Sequence, residues 1–291
     1  MSVDDQARAQ LWERERLRLT SLAYRILGSW QDAEDVVSQS WVRLAEADDL
    51  EEPQAWLTTV VTRLAIDAGR RAHVRRETYV GPWLPEPVAT DRLPADVAET
   101  RSLLGLGLLR LMDELEPEDR AIFVLREAFD VPYAEISDCV GRSSAACRQV
   151  VSRTRAALRV DDWHPSPGQT QDQSAAIGDL VNAVSQGDVS AVVSLISDDC
   201  VLWSDGGGQV RAALHPVRGR DRVAAFLTSV SRLLDRVEQV HVNGTPAPLF
   251  SNKLGTYLYV LEYDGAQVTG IQVQANPAKL GVIGLRSAIP R

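Results

Sequence analysis

The polar side chains with the clearest chemical potential lie between residues 144 and 159, where arginine recurs along a candidate helix. Arginine can form paired hydrogen bonds with a guanine edge, and it also contacts phosphate. The predicted outward faces carry Arg148, Gln149, Ser152, Arg153, Arg155 and Arg159. No acidic residue interrupts the range 139–160. The pattern favours a helix that reads DNA, and a basic solvated helix of an α-bundle is the alternative.

The residues before this helix complete a candidate helix-turn-helix. Pro117 is suited to a first helical turn, and the acids beside it favour the positive end of the helix dipole. A second short helix is predicted from Tyr133 to Val140, and Gly141 supplies the turn. The reading helix, about 144–159, then has an inward stripe. Its members are Cys147, Val150, Val151, Thr154 and Leu158.

The composition limits the classes of function. The chain has 291 residues, enough for two or three domains, and a formal net charge of −9. A net acidic DNA reader has few phosphate contacts of its own, so we expect a large partner to supply most of the binding energy. The three cysteines form no metal-ligand pattern and no apolar run approaches a membrane span. We therefore expect a cytoplasmic protein with no metal, no cofactor and no membrane.

The first 76 residues predict three helices whose exposed faces differ in charge. The helices are expected at about 4–27, 32–46 and 53–71, and the second has an acidic exposed face. A basic cluster follows at the end of the third. It consists of Arg63, Arg70, Arg71, His73, Arg75 and Arg76. This change of sign suggests one face for a protein partner and another for nucleic acid, although a solvated basic helix end is the simpler alternative.

The rest of the chain divides at two linkers. Prolines in 77–98 exclude a helix or a central strand, and we expect Trp83 and Leu84 to dock on a surface. A helix is expected from about 95 to 115. A second linker at 161–173 precedes two helices and then short alternating runs, with one further helix at 221–234. The predicted strands are CVLWS, QVRAAL, VEQVHVN, GTYLYVLEY, QVTGIQVQ and GVIGLRS. Helices followed by an antiparallel meander predict an α+β domain at 174–291.

Residues 1–160 resemble an extracytoplasmic-function sigma factor, the promoter-recognition subunit of bacterial RNA polymerase. Residues 1–76 resemble the minus-10-binding domain through Asp32–Val37 with Gln39, Ala55-Trp56-Leu57 and Ala65-Ile66-Asp67. Residues 99–160 resemble the minus-35-binding domain through Tyr133–Ile136 and Arg153–Leu158. The resemblance implies two all-α domains, the second containing the helix-turn-helix.

Residues 174–291 resemble a SnoaL-like domain, an α+β cone of the nuclear-transport-factor-2-like kind. A subgroup of these sigma factors carries such a domain and shares three motifs with this chain. They are Trp83-Leu84-Pro85-Glu86-Pro87, Asp205-Gly206-Gly207-Gly208-Gln209 and Asn276-Pro277-Ala278-Lys279-Leu280. Gln209 stands where the subgroup usually has lysine, and Ala278 where it often has aspartate.

The resemblance implies a role for each group of residues. Core polymerase would bind Asp32, Asp35 and Gln39. The minus-10 element would contact Trp56, Arg63, Arg70 and Arg71, although Arg63 stands where asparagine is often found and Trp56 is equally suited to the core. The minus-35 element would contact Arg148, Gln149, Ser152, Arg153 and Arg155. The interdomain regulatory residues would be Trp83, Leu84, Pro85, Asp205, Gly206, Gly207, Gly208, Asn276, Pro277 and Lys279.

The sequence is compatible with several hypotheses for the role of the C-terminal domain. We expect a non-enzymatic domain that regulates the sigma factor in cis through protein contacts. Binding of a small ligand, or acid/base catalysis, remains open. Candidate pocket residues are Trp203, Asp205, His215, Tyr257, Tyr259 and Glu262. The alternative for the whole chain is a helix-turn-helix transcription factor that binds DNA without polymerase and senses or converts a small molecule.

Overall fold

A computed structural model describes most of the chain. The described residues are 3–48, 50–93, 105–158, 169–231, 236–253, 255–264 and 267–281. They form two compact units. The helical unit draws on Met1–Glu77, Asp91–Leu104 and Leu108–Trp163, and the α+β unit on Thr78–Thr90, Gly105–Gly107 and His164–Arg291. Among the described residues, no helix has the length and apolar character needed to cross a membrane.

The helices of the first half begin and end where the sequence provides capping residues. They are α1 Val3–Leu27, α2 Trp30–Glu46, α3 Pro53–Arg76, α4 Leu106–Met112, α5 Pro117–Phe129, α6 Tyr133–Val140 and α7 Ser144–Leu158. The Ser29 hydroxyl accepts a hydrogen bond from the Asp32 N–H and caps α2. Prolines open α3 and α5, and Gly141 ends α6 with a φ of 73°. The local sequence therefore explains most of these boundaries.

Helix α4 is shorter than the 95–115 helix predicted from the sequence. The described helix ends at Met112, and residues 94–104 lie outside the described residues. After Met112 the backbone N–H groups of Asp113, Glu114 and Leu115 each bond to a carbonyl three residues back. Such tight turns, followed by Pro117, disfavour continuation of an α-helix.

Helix α1 is the centre of the helical unit. It packs against α2, α3 and α5, while α3 also contacts α5 and α6. Leu19, Leu22 and Tyr24 of α1 are fully buried. The predicted inward stripe of α7 is confirmed, since every one of its members is buried. The core therefore joins the N-terminal helices and the helix-turn-helix within one unit.

The α+β unit packs helices against one mixed sheet. Its elements are α8 Gln169–Gln186, α9 Val189–Leu195, β1 Ile196–Asp205, β2 Val217–Arg218, α10 Arg220–Ser231, β3 Arg236–Val242, β4 Thr245–Asn252, β5 Gly255–Asp264, β6 Gln267–Gln274 and α11 Pro277–Gly281. The strand order is β2-β1-β6-β5-β4-β3. Helices α8, α9 and α10 contribute to a core with the buried side chains of β1, β5 and β6. The predicted α+β class is confirmed.

Three strand predictions were wrong or lie outside the described residues. The predicted meander is wrong at β1, which pairs with β6 in parallel. The predicted strand at 209–214 is absent because the Gln209 and Val210 N–H groups bond the Gly206 carbonyl and turn the chain. The final predicted strand, GVIGLRS, begins at Gly281, the last residue of α11, and its other residues, 282–287, are not described.

Strand β4 was not predicted because it contains two prolines. Pro246 and Pro248 pair only with β3, at His241 and Gln239. Pairing of β4 with β5 begins later, at Leu249. The prolines therefore lie where the strand has a single neighbour, which is the position that tolerates a missing N–H.

Candidate nucleic-acid interface

The outward face of α7 is exposed and partly tied to neighbouring helices. Arg148, Gln149, Ser152 and Arg153 are exposed, and Arg155 is half-buried. Two arginines of this face pair with acids: Arg153 bonds Asp119 at 2.7 Å and Arg155 bonds Glu127 at 2.6 Å. These two arginines are thereby oriented by acidic residues of α5.

Arg148 is positioned differently, by an aromatic ring. Its guanidinium carbon lies 5.5 Å from the centre of the Tyr133 ring, and that of Arg126 lies 5.2 Å from the same ring. Such cation–π contacts restrict a long side chain while leaving its N–H donors usable. The Tyr133 ring thus contacts both Arg126 and Arg148.

The predicted minus-10 residues on α3 contact the helix-turn-helix. Arg63 donates to the carbonyl oxygens of Asp138, at 2.8 Å, and Cys139, at 2.9 Å. Arg70 bonds Glu118 at 2.9 Å. Arg71 is exposed. Two of the candidate nucleic-acid contacts are therefore occupied by protein in this conformation.

The remaining candidates of the N-terminal helices differ in exposure. Trp56 is half-buried, which agrees with partial use in packing. Asp35 and Gln39 are exposed on α2. Asp32 is half-buried and lies 3.6 Å from Arg75. The acidic surface of α2 therefore presents Asp35 and Gln39 more fully than Asp32.

In the α+β unit, the Asp205 carboxylate bonds three other predicted regulatory residues, Leu84, Gly207 and Lys279. It is fully buried and accepts hydrogen bonds from the Tyr79 hydroxyl at 2.6 Å and the Leu84 N–H at 2.9 Å. It also accepts from the Gly207 N–H at 3.0 Å and from Lys279 Nζ at 2.7 Å. We call this group the Asp205 cluster: Asp205, Lys279, Tyr79, Asn276 and the Leu84 backbone.

Lys279 links the linker to the end of the sheet. Its Nζ donates to the Leu84 carbonyl at 2.5 Å and lies 4.1 Å from the centre of the Trp83 ring. The Lys279 side chain is only 7% exposed, and its ammonium group pairs with the fully buried Asp205 carboxylate. Burial and the hydrogen bond to Asp205 raise the pKa of Tyr79 above its ordinary value, which keeps that hydroxyl a donor at neutral pH.

The glycine motif lets the chain approach Asn276 closely. A Cβ at Gly207, whose φ is +60°, would lie 2.4 Å from Asn276 Nδ2. A Cβ at Gly206 would lie 2.2 Å from the Val210 carbonyl oxygen. Asn276 Nδ2 donates to the Tyr79 hydroxyl at 2.8 Å, and its Oδ1 accepts from the Ala278 N–H. Larger residues at 206 or 207 would displace this arrangement.

The other motif residues surround the same cluster. Pro85 is buried and its carbonyl accepts from Gln274 Nε2 at 3.3 Å, while Pro277 opens α11. Further along the linker, Val88 and Asn243 exchange two hydrogen bonds, each of 2.9 Å. The linker is therefore fastened to the α+β unit at two places, one around Leu84 and one at Val88.

Five of the six candidate pocket residues do not line the described cavity of the α+β unit. The cavity is small, with a volume of about 20 Å³, and apart from Tyr259 its lining residues are apolar. Of the six candidates, only Tyr259 is among its lining residues. Asp205 is instead committed to the linker.

Several contact residues were missed from the sequence. Tyr79, Gln274 and Asn243 hold the linker, Tyr133 supports Arg148, and Asp119 pairs with Arg153. Tyr79 lies four residues before Trp83, and its aromatic character was the available signal. The others carried no local pattern, because their partners are distant in the chain.

Comparisons with known proteins identify both helical domains. The family model sigma-70 region 2 matches residues 11–75, and the model sigma-70, region 4 matches residues 106–158. The ECF RNA polymerase sigma factor SigJ of Mycobacterium tuberculosis (strain ATCC 25618 / H37Rv) is 38% identical over 252 residues, which cover 84% of this chain and 79% of that protein. The chain belongs to the extracytoplasmic-function sigma factors.

The likeness to this family extends over the C-terminal part. The crystal structure of M. tuberculosis SigJ matches with a TM-score of 0.77 at 30% identity, covering 96% of this chain and 100% of that one. A probable ECF RNA polymerase sigma factor SigI from the same species is 29% identical over 277 residues, covering 92% of this chain and 93% of that protein. As a sigma factor, the chain directs promoter-specific initiation of transcription with RNA polymerase.

The Asp205 cluster generates a stability prediction for this sigma factor. Asp205→Asn leaves the buried Lys279 without its counter-charge, and should lower the free energy of unfolding by about 3–5 kcal/mol. Adding Lys279→Met removes the unpaired charge and should recover part of that loss. Denaturant unfolding of the single and double variants measures both effects, and simple additivity of the two single losses would contradict the pairing.

Proposed function

We propose that this sigma factor reads the minus-35 element with α7 and the minus-10 element with α3, and binds core polymerase through α2. We also propose that the α+β unit regulates it in cis by holding the linker. The observation that supports cis regulation is the buried Asp205 carboxylate, which accepts hydrogen bonds from the linker at Tyr79 and Leu84. A buried, fully bonded contact of this kind favours a specific linker path.

The proposal for α7 follows from its exposed polar face. Arg148 and Gln149 lie in the first half of the helix, where a recognition helix approaches base edges. Ser152, Arg153 and Arg155 lie further along and are suited to bases or phosphates. The pairing of Arg153 with Asp119 is exposed and therefore easily exchanged for DNA.

The proposal for α2 follows from charge. The chain has a net charge of −9. Its acidic residues would repel the DNA phosphates at long range and weaken the binding of α7 and α3 to DNA in the free chain. A polymerase that docks on the acidic face carrying Asp35 and Gln39 would supply the missing phosphate contacts. A stand-alone transcription factor would lack this compensation.

When the α+β unit holds part of the linker, the largest distance by which α3 and α7 can separate becomes smaller. Residues 77–105, fully extended, span at most about 100 Å, whereas residues 91–105 alone span about 50 Å. Elements centred near minus 10 and minus 35 are about 25 base pairs apart, or roughly 85 Å along B-form DNA. The α+β unit thus controls how much linker is available to span the promoter.

We assign no catalytic step and no small ligand to the α+β unit. Its described cavity is small and apolar, and its buried acid–base group, Asp205 with Lys279, is bonded to the linker. We propose that Asp205 and Lys279 bind the linker and not a small molecule. We therefore propose that the unit acts through protein contacts.

Replacing Arg148 tests the assignment of α7. Arg148→Ala should weaken binding of the sigma–polymerase complex to its promoter by about 1–3 kcal/mol and relax selectivity at one base pair, because a bidentate base contact is lost. Binding measured on a panel of minus-35 variants shows the effect. Arg153→Ala is the comparison, and a loss from Arg148→Ala that is equal on every sequence would demote it to a phosphate contact.

Replacing Trp83 tests regulation through the linker. Trp83→Ala removes the ring beside Lys279 and should change transcription from a sigma-dependent promoter while both units stay folded. Val80→Ala, in the same segment but exposed, is the control. Unchanged transcription together with unchanged compactness in small-angle scattering would refute the assignment.

A further inference from the structure

A closed ring of hydrogen bonds joins α1 to the first turns of α3. The Glu15 carboxylate of α1 accepts from Arg18 Nε at 2.6 Å and from Gln54 Nε2 at 2.8 Å. Arg18 Nη2 donates to Thr58 Oγ1 at 2.9 Å, and that hydroxyl donates to the Gln54 carbonyl at 3.0 Å. We call Glu15, Arg18, Gln54 and Thr58 the Glu15 ring. Two of its residues come from each helix, and each residue bonds two others.

The Glu15 ring adds directional bonds to an apolar contact. Leu57 and Val61 are fully buried and lie on the same side of α3 as the two ring residues of that helix. Packing of these apolar side chains holds α3 against α1. Glu15 is itself buried, and a buried carboxylate is stable only when polar or charged groups bond it. The donors from Arg18 and Gln54 meet that requirement.

The Glu15 ring also stabilises a helix start that has no side-chain cap. Glu52 occupies the N-cap position of α3, but its side chain makes no capping hydrogen bond, and Pro53 follows it. A helix start without such a cap is less stable. The bonds from α1 reach α3 at Gln54 and at Thr58, one turn apart. Attachment at two points fixes the rotation of this turn as well as its position.

Trp56 lies between the two points of attachment. It is two residues from Gln54 and two from Thr58, so its side chain lies roughly 160–200° around the helix axis from each of them. Trp56 is half-buried, which leaves part of its indole accessible. A base that has left the duplex is held by stacking on an aromatic side chain, and stacking depends on the position of that ring. Rotation or fraying of the first turn of α3 would displace Trp56.

We propose that the Glu15 ring positions Trp56 for the minus-10 element, with Glu15 and Arg18 acting through α3 as positioning residues. The inference rests on the proposed assignment of α3 to that element. The ring contributes when the DNA strands open, because a base must then leave the duplex and be held. It does not contribute to binding of the minus-35 element, which is assigned to α7.

Changing the ring carboxylate to an amide tests the inference with little change in volume. Glu15→Gln removes the charge that Arg18 bonds, and in the complex with core polymerase it should slow unstacking of a minus-10 base by about tenfold. The measurement is the fluorescence increase of the base analogue aminopurine, placed in the minus-10 element of a promoter duplex. Glu13→Gln makes the same change at an exposed position of α1 and should leave the rate unchanged. Binding of the minus-35 element by the same complexes should also be unchanged.

A second variant leaves the buried carboxylate in place. Gln54 is exposed, so Gln54→Ala removes one bond of the ring and should leave the free energy of unfolding nearly unchanged. It should slow unstacking in the same direction as Glu15→Gln. The double variant should lose less than the two single losses combined, because both changes break one ring. Additive losses would show that Gln54 acts independently of Glu15 and would overturn the inference.

Trp56→Ala separates this inference from the assignment on which it rests. Slow unstacking in Trp56→Ala, together with normal unstacking in Glu15→Gln and Gln54→Ala, would overturn the positioning role alone. Normal unstacking in Trp56→Ala would refute the assignment of Trp56 to the minus-10 element, and the inference with it. An equal loss in minus-10 unstacking and minus-35 binding by Glu15→Gln would reduce the ring to a contribution to general stability, which also overturns the positioning role.

Discussion

Arginine side chains that bond the last carbonyl groups of helices are the interaction on which the helical unit depends. Arg76 donates to the Leu27 carbonyl and Arg120 to the Arg25 carbonyl, both at the end of α1. Arg63 does the same for α6. Every helix leaves such acceptors at its negative end, so basic residues of a neighbouring element can join two helices by bonding backbone carbonyls. Arg76 and Arg120 also pair with Asp113.

This chemistry gives the arginines of a DNA-binding protein two uses. A guanidinium group that bonds backbone carbonyls can also bond phosphates and base edges, because both are arrays of oxygen acceptors. The bonds of Arg63 to α6 and the proposed binding of Arg63 to promoter DNA would therefore use the same donors. The α+β unit is held by an acidic group instead: the Asp205 carboxylate accepts hydrogen bonds from the linker and from Lys279. A buried pair of that kind contributes less to stability than to a defined linker path.

Much of the architecture followed from local sequence patterns. The stripe from Cys147 to Leu158, the proline starts of α3 and α5, and the α+β class were predictable because periodicity and caps act over a few residues. The parallel pairing of β1 with β6 was not, because sheet order depends on contacts far apart in the chain. Arg63 was predicted as a site residue because of its charge. Its partners in the structure are backbone carbonyls, which every residue has, so the sequence could not predict this contact.

Helices α3 and α7 lie in one compact unit of the free chain, and the proposed binding of both promoter elements requires them to separate. The direct measurement is the distance between one spin label on α3 and one on α7, determined by pulsed electron paramagnetic resonance. A distance below about 45 Å in the free chain and one near 85 Å in the promoter complex with polymerase is predicted. The same distance in both states, short or long, would contradict the account.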